Sequence, residues 1–389
     1  MIYHFKKLNE ISVLNGIKAL VRLDLNVPMK GDVITDFTRI EKVLPTLKFL
    51  IDHKAQVIIL SHLGRPDGKH VPALSLKPVA EALKHWIPIS FCPDIAQLDS
   101  VLKPGSAVML ENIRFDPREE ADDASLAKEW ATHADIYVND AFSVSHRAHA
   151  SVVAITKLLP SYPGFLMEEE LTALKNTLER PERPLIALIG GSKISTKLEI
   201  LEHLSQKVDV MIIGGGMANT FLKAQGFEIG SSLVEPDLID TAWRILTTAK
   251  AQILLPQDVM IAESPTSTAT PRCIPLTEMT QDQMILDVGP ESCDVFKEAI
   301  KKSKTLIWNG PLGVFEIPPF DQGTNTLARF VAERTRNGKL LSVAGGGDTI
   351  AALDHAGVLE DLSFVSTAGG AFLEWLEGKS LPGVEALCR

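Results

Sequence analysis

The sequence has little cysteine and no long hydrophobic run. Its four cysteines, at positions 92, 273, 293 and 388, form no C-x-x-C pair, so neither a zinc knuckle nor a disulfide framework is predicted. The apolar runs, such as 57–60 and 210–213, are far too short to cross a bilayer. Residues 1–10 lack the apolar stretch of a signal peptide. We therefore expect reduced thiols, no membrane partner and a cytoplasmic location.

Positive charge is also scarce. Lysine and arginine number 39 against 49 acidic residues, and the formal net charge is -10. Nucleic-acid affinity comes largely from contacts of Lys and Arg with phosphates, so no nucleic-acid partner is expected. The rest of the composition, with 45% hydrophobic and 23% charged residues, is typical of a globular protein with a large core. A length of 389 residues suggests two domains.

Three common motifs are missing. The absence of G-x-x-x-x-G-K-[ST] excludes a Walker-type nucleotide hydrolase. Residues 214–219 read G-x-G-x-x-N and fall short of the fingerprint of a nicotinamide dehydrogenase. There is no H-E-x-x-H, and no His/Cys pair has the spacing of metal ligands.

What the sequence does have is a series of short apolar runs separated by helix-like segments. The predicted strands are 19–23, 57–60, 107–110, 135–138, 185–189, 210–213, 305–308, 340–344 and 364–366. Several are too uniformly apolar to be half-exposed, which indicates strands buried on both faces. Strands that alternate with helices form parallel sheets, whose ligands bind beyond the carboxyl ends of the strands. Between the two halves, residues 160–184 carry leucines at helical spacing and are predicted to form a linking helix.

In the first half, basic side chains follow the predicted strands. Guanidinium groups suit compact anions because they stay charged and match phosphate and carboxylate oxygens. Five arginines lie at or near the strand ends, at positions 22, 39, 65, 114 and 147. His62 and His149 are candidates for the same anion. Asp24 and Asn26 alternate along one strand and face the same way, either to hold a hydroxyl group or to cap the next turn.

In the second half, glycines follow the strands instead. Helix N-termini leave backbone N–H groups free, and glycine lets a phosphate approach them closely. Such turns occur at 190–193, 214–216, 345–348 and 368–370, which favours a site for nucleotide phosphates. Asp348 is predicted either to meet a Mg²⁺ carried by the nucleotide or to cap its helix. Lys193 and Lys197 share a helical face if the helix starts near Gly191, where they bear either on phosphates or on solvent.

Several longer motifs are highly specific. They are Ser-His-Leu-Gly-Arg-Pro at 61–66, Asn-Asp-Ala-Phe at 139–142, His-Arg-Ala-His-Ala-Ser at 146–151 and Trp-Asn-Gly-Pro-Leu-Gly-Val-Phe-Glu at 308–316. With them, the chain resembles phosphoglycerate kinases over nearly its whole length. The resemblance implies an α/β fold of two doubly wound, Rossmann-like parallel-sheet lobes facing a central cleft, in a monomer. It implies a phosphoglycerate-binding lobe at 1–168 with a returning segment at 374–389, and a nucleotide-binding lobe at 169–373.

The resemblance also implies the ligands of each lobe. The N-terminal lobe would bind 3-phosphoglycerate or 1,3-bisphosphoglycerate through Asp24, Asn26, Arg39, His62, Arg65, Arg114 and Arg147. The C-terminal lobe would bind ADP or ATP with Mg²⁺. There, Gly214 and Gly215 would flank the adenine and Glu316 would meet the ribose. The phosphates would lie on Lys197, Gly345, Gly346, Gly347, Asp348 and Thr349, with Asp348 also on the metal.

The implied reaction is reversible phosphoryl transfer between 1,3-bisphosphoglycerate and ADP, in glycolysis and gluconeogenesis, with the lobes closing about a hinge. Such a transfer needs aligned oxygens and neutralised charge rather than covalent help. We assign Arg39 to the reacting end of the acid and Lys193 to the moving phosphoryl group. Backbone N–H groups near Gly346 and Gly369 would supply fixed positive dipoles. No general base is required, because an attacking carboxylate is already ionised.

Some positions depart from the commonest pattern of the resembled family. Ser-Val-Ser at 143–145 stands where many members have Gly-Thr-Ala, while Ser192, Ala368 and Phe372 replace commoner Ala, Gly and Ser. Ala368 is the departure nearest the predicted chemistry, and none removes a charged residue that the transfer needs. Two other interpretations remain open from the residues alone: a nicotinamide dehydrogenase and an inactive relative that serves as a scaffold.

Overall fold

The computed structural model describes residues 5–267 and 270–388, so the first four residues of the N-terminal stretch considered above lie outside it. The described chain divides into two compact units. Unit 1 comprises the described residues of Met1–Thr172 and Ser380–Arg389, and unit 2 comprises those of Ala173–Lys379. The boundaries predicted after residues 168 and 373 both fall inside helices.

Unit 1 is built on a six-stranded parallel sheet. Its elements up to the divide are β1 (Lys18–Leu23), β2 (Met29–Lys30), β3 (Val33–Ile34), α1 (Thr38–Asp52), β4 (Gln56–Leu60), α2 (Lys77–Leu83), β5 (Ile89–Cys92), α3 (Leu98–Val101), β6 (Ser106–Leu110), α4 (Pro117–Glu120), α5 (Ala124–Ala131), β7 (Ile136–Asp140), β8 (Ser161–Pro163) and α6 (Phe165–Leu174). The strand order is β5-β6-β4-β1-β7-β8, and β2 and β3 form a separate antiparallel pair. The four predicted strands are the four inner ones.

Alternate residues of β1 enter two different cores. Val21 and Leu23 pack on one face of the sheet with residues of α1, whereas Leu20 packs on the other face with Tyr137. A strand covered on both faces explains why this run is continuously apolar. Arg22 interrupts the run on the side of Leu20 and is nevertheless fully buried.

Unit 2 repeats the plan with a second six-stranded parallel sheet. Its elements are β9 (Leu185–Ile189), α7 (Leu198–Ser205), β10 (Val210–Ile213), α8 (Gly216–Ala224), α9 (Ile239–Thr248), β11 (Gln252–Leu254), β12 (Asp258–Ala262), β13 (Arg272–Pro275), β14 (Met284–Val288), α10 (Pro290–Lys302), β15 (Thr305–Asn309), α11 (Gln322–Arg336), β16 (Leu341–Gly345), α12 (Gly347–His355), β17 (Phe364–Ser366) and α13 (Gly370–Leu376). The strand order is β11-β10-β9-β15-β16-β17. The predicted parallel α/β fold is confirmed, but the antiparallel sheet β13-β12-β14 was not predicted.

The last helix, α14 (Pro382–Leu387), belongs to unit 1. The N–H group of Gly383 donates to the carbonyl oxygen of Ser145 at 2.9 Å. A Cβ atom on Gly383 would lie 2.7 Å from Cγ1 of Val152, so the backbone of α14 packs directly on this part of unit 1. None of the helices in the described ranges is long and apolar enough to cross a membrane.

Helix α6 begins beside a buried carboxyl group. Asp140 ends β7, is completely buried and accepts a hydrogen bond from the N–H group of Met167 at 2.9 Å. A Cβ atom on Gly164 would lie 2.3 Å from Cγ of Asp140, so the chain approaches this carboxyl too closely for any side chain. Burial raises the pKa of Asp140 from 3.8 to about 6, against the opposing effect of the hydrogen bonds that it accepts.

We expect Asp140→Asn to remove a pH-dependent part of the stability of unit 1. A raised native pKa contributes stability that is complete below the unfolded value of 3.8 and is lost as the pH rises through about 6. The side-chain amide of the variant does not ionise, so the variant has no such loss. Between pH 4 and 7, its free energy of unfolding should therefore rise relative to that of the parent by up to about 3 kcal/mol. Urea unfolding at several pH values measures this gain.

The control is Asp135→Asn, which removes an exposed carboxylate just before β7. A difference in unfolding free energy between the Asp140 variant and the parent that stays constant with pH would show that Asp140 is ionised in the native state.

Candidate active site

Asp24, directly after β1, is the centre of the polar site in unit 1. Its Oδ2 atom accepts hydrogen bonds from Nη1 of Arg39, at the start of α1, and from Oγ of Ser143. Its Oδ1 atom accepts from the N–H group of Asn26 at 3.1 Å. Burial alone would raise the pKa of Asp24, but the positive charge of Arg39 and the hydrogen bonds from Ser143 and Asn26 hold it below its ordinary value of 3.8. The carboxyl group is therefore ionised at neutral pH.

Gly64 connects two other predicted ligands. Oδ1 of Asn26 accepts from the N–H group of Gly64 at 2.8 Å, and Nη1 of Arg114 donates to the Gly64 carbonyl at 3.0 Å. Arg114 is 5% exposed, and its Nε atom lies 3.3 Å from a carboxylate oxygen of Glu120. Through Gly64, the loop after β4 thus binds the side-chain amide of Asn26 and the buried guanidinium of Arg114 at the same end of the sheet as Asp24.

His62 and Arg22 form a buried pair behind these residues. Nη2 of Arg22 lies 3.1 Å from Nδ1 of His62, and a guanidinium can only donate, so Nδ1 is the acceptor and Nε2 carries the proton. Burial, followed by the charge of Arg22, lowers the pKa of His62 well below 6.5 despite the attraction of Asp24. His62 is thus neutral and keeps its Nε2–H group as a donor for a ligand.

Two of the basic residues considered in the sequence do not lie on the rim of the site. Arg22 is completely buried, and its Nε donates to Oγ of Ser151 at 2.9 Å. Ser151 in turn donates to the buried carboxylate of Glu119 at 2.5 Å. His149 is buried with Nδ1 at 3.6 Å from Glu119. The expectation that both line an anion site is therefore wrong, because Arg22 and His149 are both buried next to the Glu119–Ser151 pair.

Arg65 and Arg147 occupy more open positions. Arg65 is exposed and follows Gly64 directly. Arg147 is half-buried, with Nε at 3.2 Å from Nε2 of His146. Burial, then the charge of Arg22 and to a smaller extent that of Arg147 lower the pKa of Arg114. The structure thus gathers Asp24, Arg39, Asn26, His62 and Arg114 tightly and leaves these two side chains freer.

In unit 2, a cavity of about 390 Å³ opens at the carboxyl ends of the parallel strands. Gly191, Gly215 and Gly216 lie on its floor, at the ends of β9 and β10. Its apolar walls come from residues such as Leu233, Leu286, Pro311, Leu312 and Val314. Apolar walls with a few polar groups at one end suit a flat ring that carries a charged tail.

Two helices begin at the cavity end of the sheet with glycines in the left-handed region. Gly215 has φ 68° and precedes α8, and Gly346 has φ 98° and precedes α12. A Cβ atom on Gly215 would lie 2.6 Å from the carbonyl oxygen of Gly191, and one on Gly346 would lie 2.7 Å from Nδ2 of Asn309. Glycine at these positions leaves free N–H groups accessible to an anion. Gly214 precedes Gly215 with its backbone against Leu312.

Lys197 is a half-buried cation beside this cavity. Its Nζ donates to the carbonyl oxygens of Gly190 at 2.7 Å and Asn309 at 2.9 Å, at the ends of β9 and β15. Burial lowers the pKa of Lys197 to about 8, and the negative charge of Asp348 opposes the change. The helix begins only at Leu198, so the expectation that Lys193 and Lys197 share a helical face is wrong. Lys193 lies in the preceding turn and is exposed.

The other predicted nucleotide ligands surround the cavity or support its floor. Glu316 and Asp348 are exposed and line it. Thr349 is buried, and its Oγ1 accepts from the N–H group of Gly310 at 2.7 Å and donates to Gly345 at 2.9 Å. Its side chain therefore holds two turns together, and only its backbone is free for a ligand. Gly369, with φ 52°, lies between β17, the last strand of the sheet, and α13.

The residues at the cavity fit a magnesium ion that arrives with a nucleotide. The described ranges contain no cluster of three or more His, Cys, Asp or Glu that could hold a metal. Asp348, in the first turn of α12, provides an exposed carboxylate at the cavity. Mg²⁺ commonly takes one or two carboxylates and completes its shell with phosphates and water.

Sequence reasoning missed two carboxylate-linked features. Ser143 contacts Asp24, but 119 positions separate the two residues and no local pattern connects them. Asp287 lines the cavity from inside β14 and accepts from the N–H groups of Gly323 at 2.7 Å and Val288 at 2.9 Å. Burial raises its pKa to about 7. In the sequence, Asp287 is recognisable as a charged residue within an apolar run. Because it lies inside a strand, a prediction based on the residues after strand ends does not include it.

Comparisons with known proteins agree with this geometry. Residues 8–379 match the family model described as phosphoglycerate kinase. The chain is 52% identical to the phosphoglycerate kinase of Methylorubrum extorquens over 98% of each chain, and 51% identical to that of Caulobacter vibrioides over 96% of this chain and 97% of the relative.

Two solved structures show the same fold. The phosphoglycerate kinase of Coxiella burnetii is 42% identical, superposes with a TM-score of 0.93 and covers 99% of each chain. That of Pyrococcus horikoshii is 28% identical, with a TM-score of 0.79 over 98% of each chain. The resemblance stated from the sequence is confirmed, and a nicotinamide dehydrogenase is excluded. This chain belongs to the phosphoglycerate kinase family.

Proposed function

We propose that, in the transfer of a phosphoryl group to and from the carboxyl of 3-phosphoglycerate, unit 1 holds the acid and unit 2 holds the nucleotide. The observation that carries the proposal is the separation of two chemistries. The site of unit 1 is made of charged side chains around Asp24, whereas that of unit 2 is an apolar cavity with free helix N-termini, Lys197 and Asp348. The reaction that we assign is the reversible conversion of 1,3-bisphosphoglycerate and ADP into 3-phosphoglycerate and ATP. We assign it to a monomer in the cytoplasm.

On the acid, Asp24 and Asn26 would hold the hydroxyl group, and the neutral His62 would donate through Nε2. Arg65, Arg114 and Arg147 would balance the negative oxygens. Arg39 would also act in the transfer itself, because its side chain is 34% exposed although it is paired with Asp24. It would turn its remaining N–H groups to the reacting carboxyl and neutralise charge that grows during transfer.

On the nucleotide, the apolar walls would hold the base beside Gly214 and Gly215, and Glu316 would accept from the ribose. Lys197 and the backbone from Gly345 to Thr349 would hold the phosphates. Mg²⁺ bound to the nucleotide would neutralise phosphate oxygens, with Asp348 as its protein ligand. Lys193 is exposed and free to follow the moving phosphoryl group, while N–H groups near Gly346 and Gly369 provide fixed dipoles.

A coupled assay of ATP formation from 1,3-bisphosphoglycerate and ADP tests the function directly. Arg39→Ala should lower kcat by about 100-fold or more, because a preorganised charge acting on the transition state is lost. Lys48→Ala removes an exposed cation from the same helix and should leave kcat unchanged. An inactive parent would favour the scaffold interpretation, and near-normal turnover of the Arg39 variant would remove Arg39 from the transfer.

The lowered pKa of Lys197 predicts how ADP affinity depends on pH. In the free protein the ammonium loses its proton above about pH 8, and only the charged form attracts phosphates. Binding must then take up a proton, so the Kd for ADP at constant Mg²⁺ should rise towards tenfold per pH unit above pH 8. Titration calorimetry between pH 7 and 9.5 measures it. Lys197→Met should bind ADP more weakly at every pH, and a flat profile for the parent would contradict the assignment.

We further propose that transfer requires the two units to close on each other. Each ligand is assigned to a different unit, and reacting atoms must come within about 3–3.5 Å. The hinge is assigned to 160–184, which contains the first passage between the units, and to 372–376, shortly before the second passage between Lys379 and Ser380. Small-angle scattering should show partial compaction with either ligand alone and the most with both. An unchanged radius of gyration in all four states of an active protein would mean that no closure occurs.

A further inference from the structure

Among the described residues, Ser143 has the one neutral side chain that donates a hydrogen bond to Asp24. Ser143 lies in a short 3-10 helix, Phe142–Val144, that follows β7. The helix is anchored by its buried neighbours Phe142 and Val144 and by the carbonyl of Ser145, which accepts from Gly383 at 2.9 Å. The backbone on both sides of Ser143 is thus anchored, and its Oγ is oriented by the hydrogen bond that it donates to Oδ2 of Asp24.

The hydrogen bonds of Asp24 leave a single acceptor position. An ionised carboxylate has about four lone-pair sites, two on each oxygen. Arg39 and Ser143 occupy those of Oδ2, and the N–H group of Asn26 occupies one on Oδ1. Arg39 approaches from α1 and Ser143 from the end of β7, so the carboxylate plane is held from two sides. The remaining site, on Oδ1, then has a fixed direction.

We propose that Ser143 is a positioning residue that directs Asp24 towards the 2-hydroxyl group of the acid substrate. By holding Oδ2, it leaves Oδ1 to accept from that hydroxyl group, and so it sets the preference for a 2-hydroxy acid over the same acid without the hydroxyl. A site built around a substrate hydroxyl rejects the analogue that lacks it, because the buried acceptor is then unpaired. The inference rests on the proposed function, in which unit 1 holds the acid.

The test compares two ligands and three variants. The ligands are 3-phosphoglycerate and its analogue without the 2-hydroxyl group, 3-phosphooxypropionate, titrated against the full chain. Ser143→Ala should weaken binding of 3-phosphoglycerate about 3- to 10-fold, the usual effect of one hydrogen bond, and change binding of the analogue less than about twofold. The KM for 3-phosphoglycerate should rise to the same extent, while kcat and the affinity for ADP stay nearly constant. Ser143→Thr retains a hydroxyl group and should restore the preference.

Ser145→Ala is the matched control. It removes a buried hydroxyl group from the same segment, and within the described residues this hydroxyl has no hydrogen-bond partner. Equal weakening of both ligands by Ser143→Ala, no weakening at all, or the same effect from Ser145→Ala would overturn the inference. A parent that binds neither acid overturns the assignment of the acid to unit 1 and this inference with it. A parent that binds the acid while Ser143→Ala changes nothing overturns the inference alone.

Discussion

Positive charge held out of water is the constraint on which both candidate sites depend. Arg22 and Arg114 are buried and Lys197 is half-buried, and each donates to a backbone carbonyl oxygen at or beyond the carboxyl end of a parallel strand. Burying a cation is unfavourable unless it is paired or well hydrogen-bonded. Unit 1 meets this requirement with carboxylates. Unit 2 meets it for Lys197 with two carbonyl groups, and the remaining charge is available to a phosphate.

The two units use the same sheet edge differently because their loops differ. In unit 1, the residues after the strands have polar side chains that pair with one another through hydrogen bonds and charge. As a result, Asp24 is ionised and His62 is neutral before any ligand binds. In unit 2, the glycine turns bring backbone segments close together. The ring of Phe372 packs so closely on Gly345 that a Cβ atom there would lie 2.6 Å from the ring. The first arrangement recognises a particular small molecule, whereas the second recognises phosphates through N–H groups that any nucleotide shares.

The sequence predicted the inner strands and most of the site chemistry, because a strand buried on both faces must be apolar and its end is where polar residues begin. Edge strands such as β5, β8 and β13 are partly exposed and lack that signal. The charges were harder to place. Arg22 and His149 have the same residue types as true ligands, and only the fold shows that Glu119 lies behind them. Ser143 and Asp24 come together only because β1 and β7 are neighbours in the sheet.

The return of the chain to unit 1 has a consequence for how the protein is made. Leu381, Val384 and Leu387 are buried, and they belong to unit 1 although all of unit 2 precedes them in the sequence. A ribosome that adds roughly 5–20 residues per second therefore releases every residue of unit 2 before it releases the last apolar side chains of unit 1. Unit 2 is continuous and can complete its core during synthesis. Unit 1 emerges first, and the surface that α14 covers stays exposed until residues 381–387 have left the ribosome.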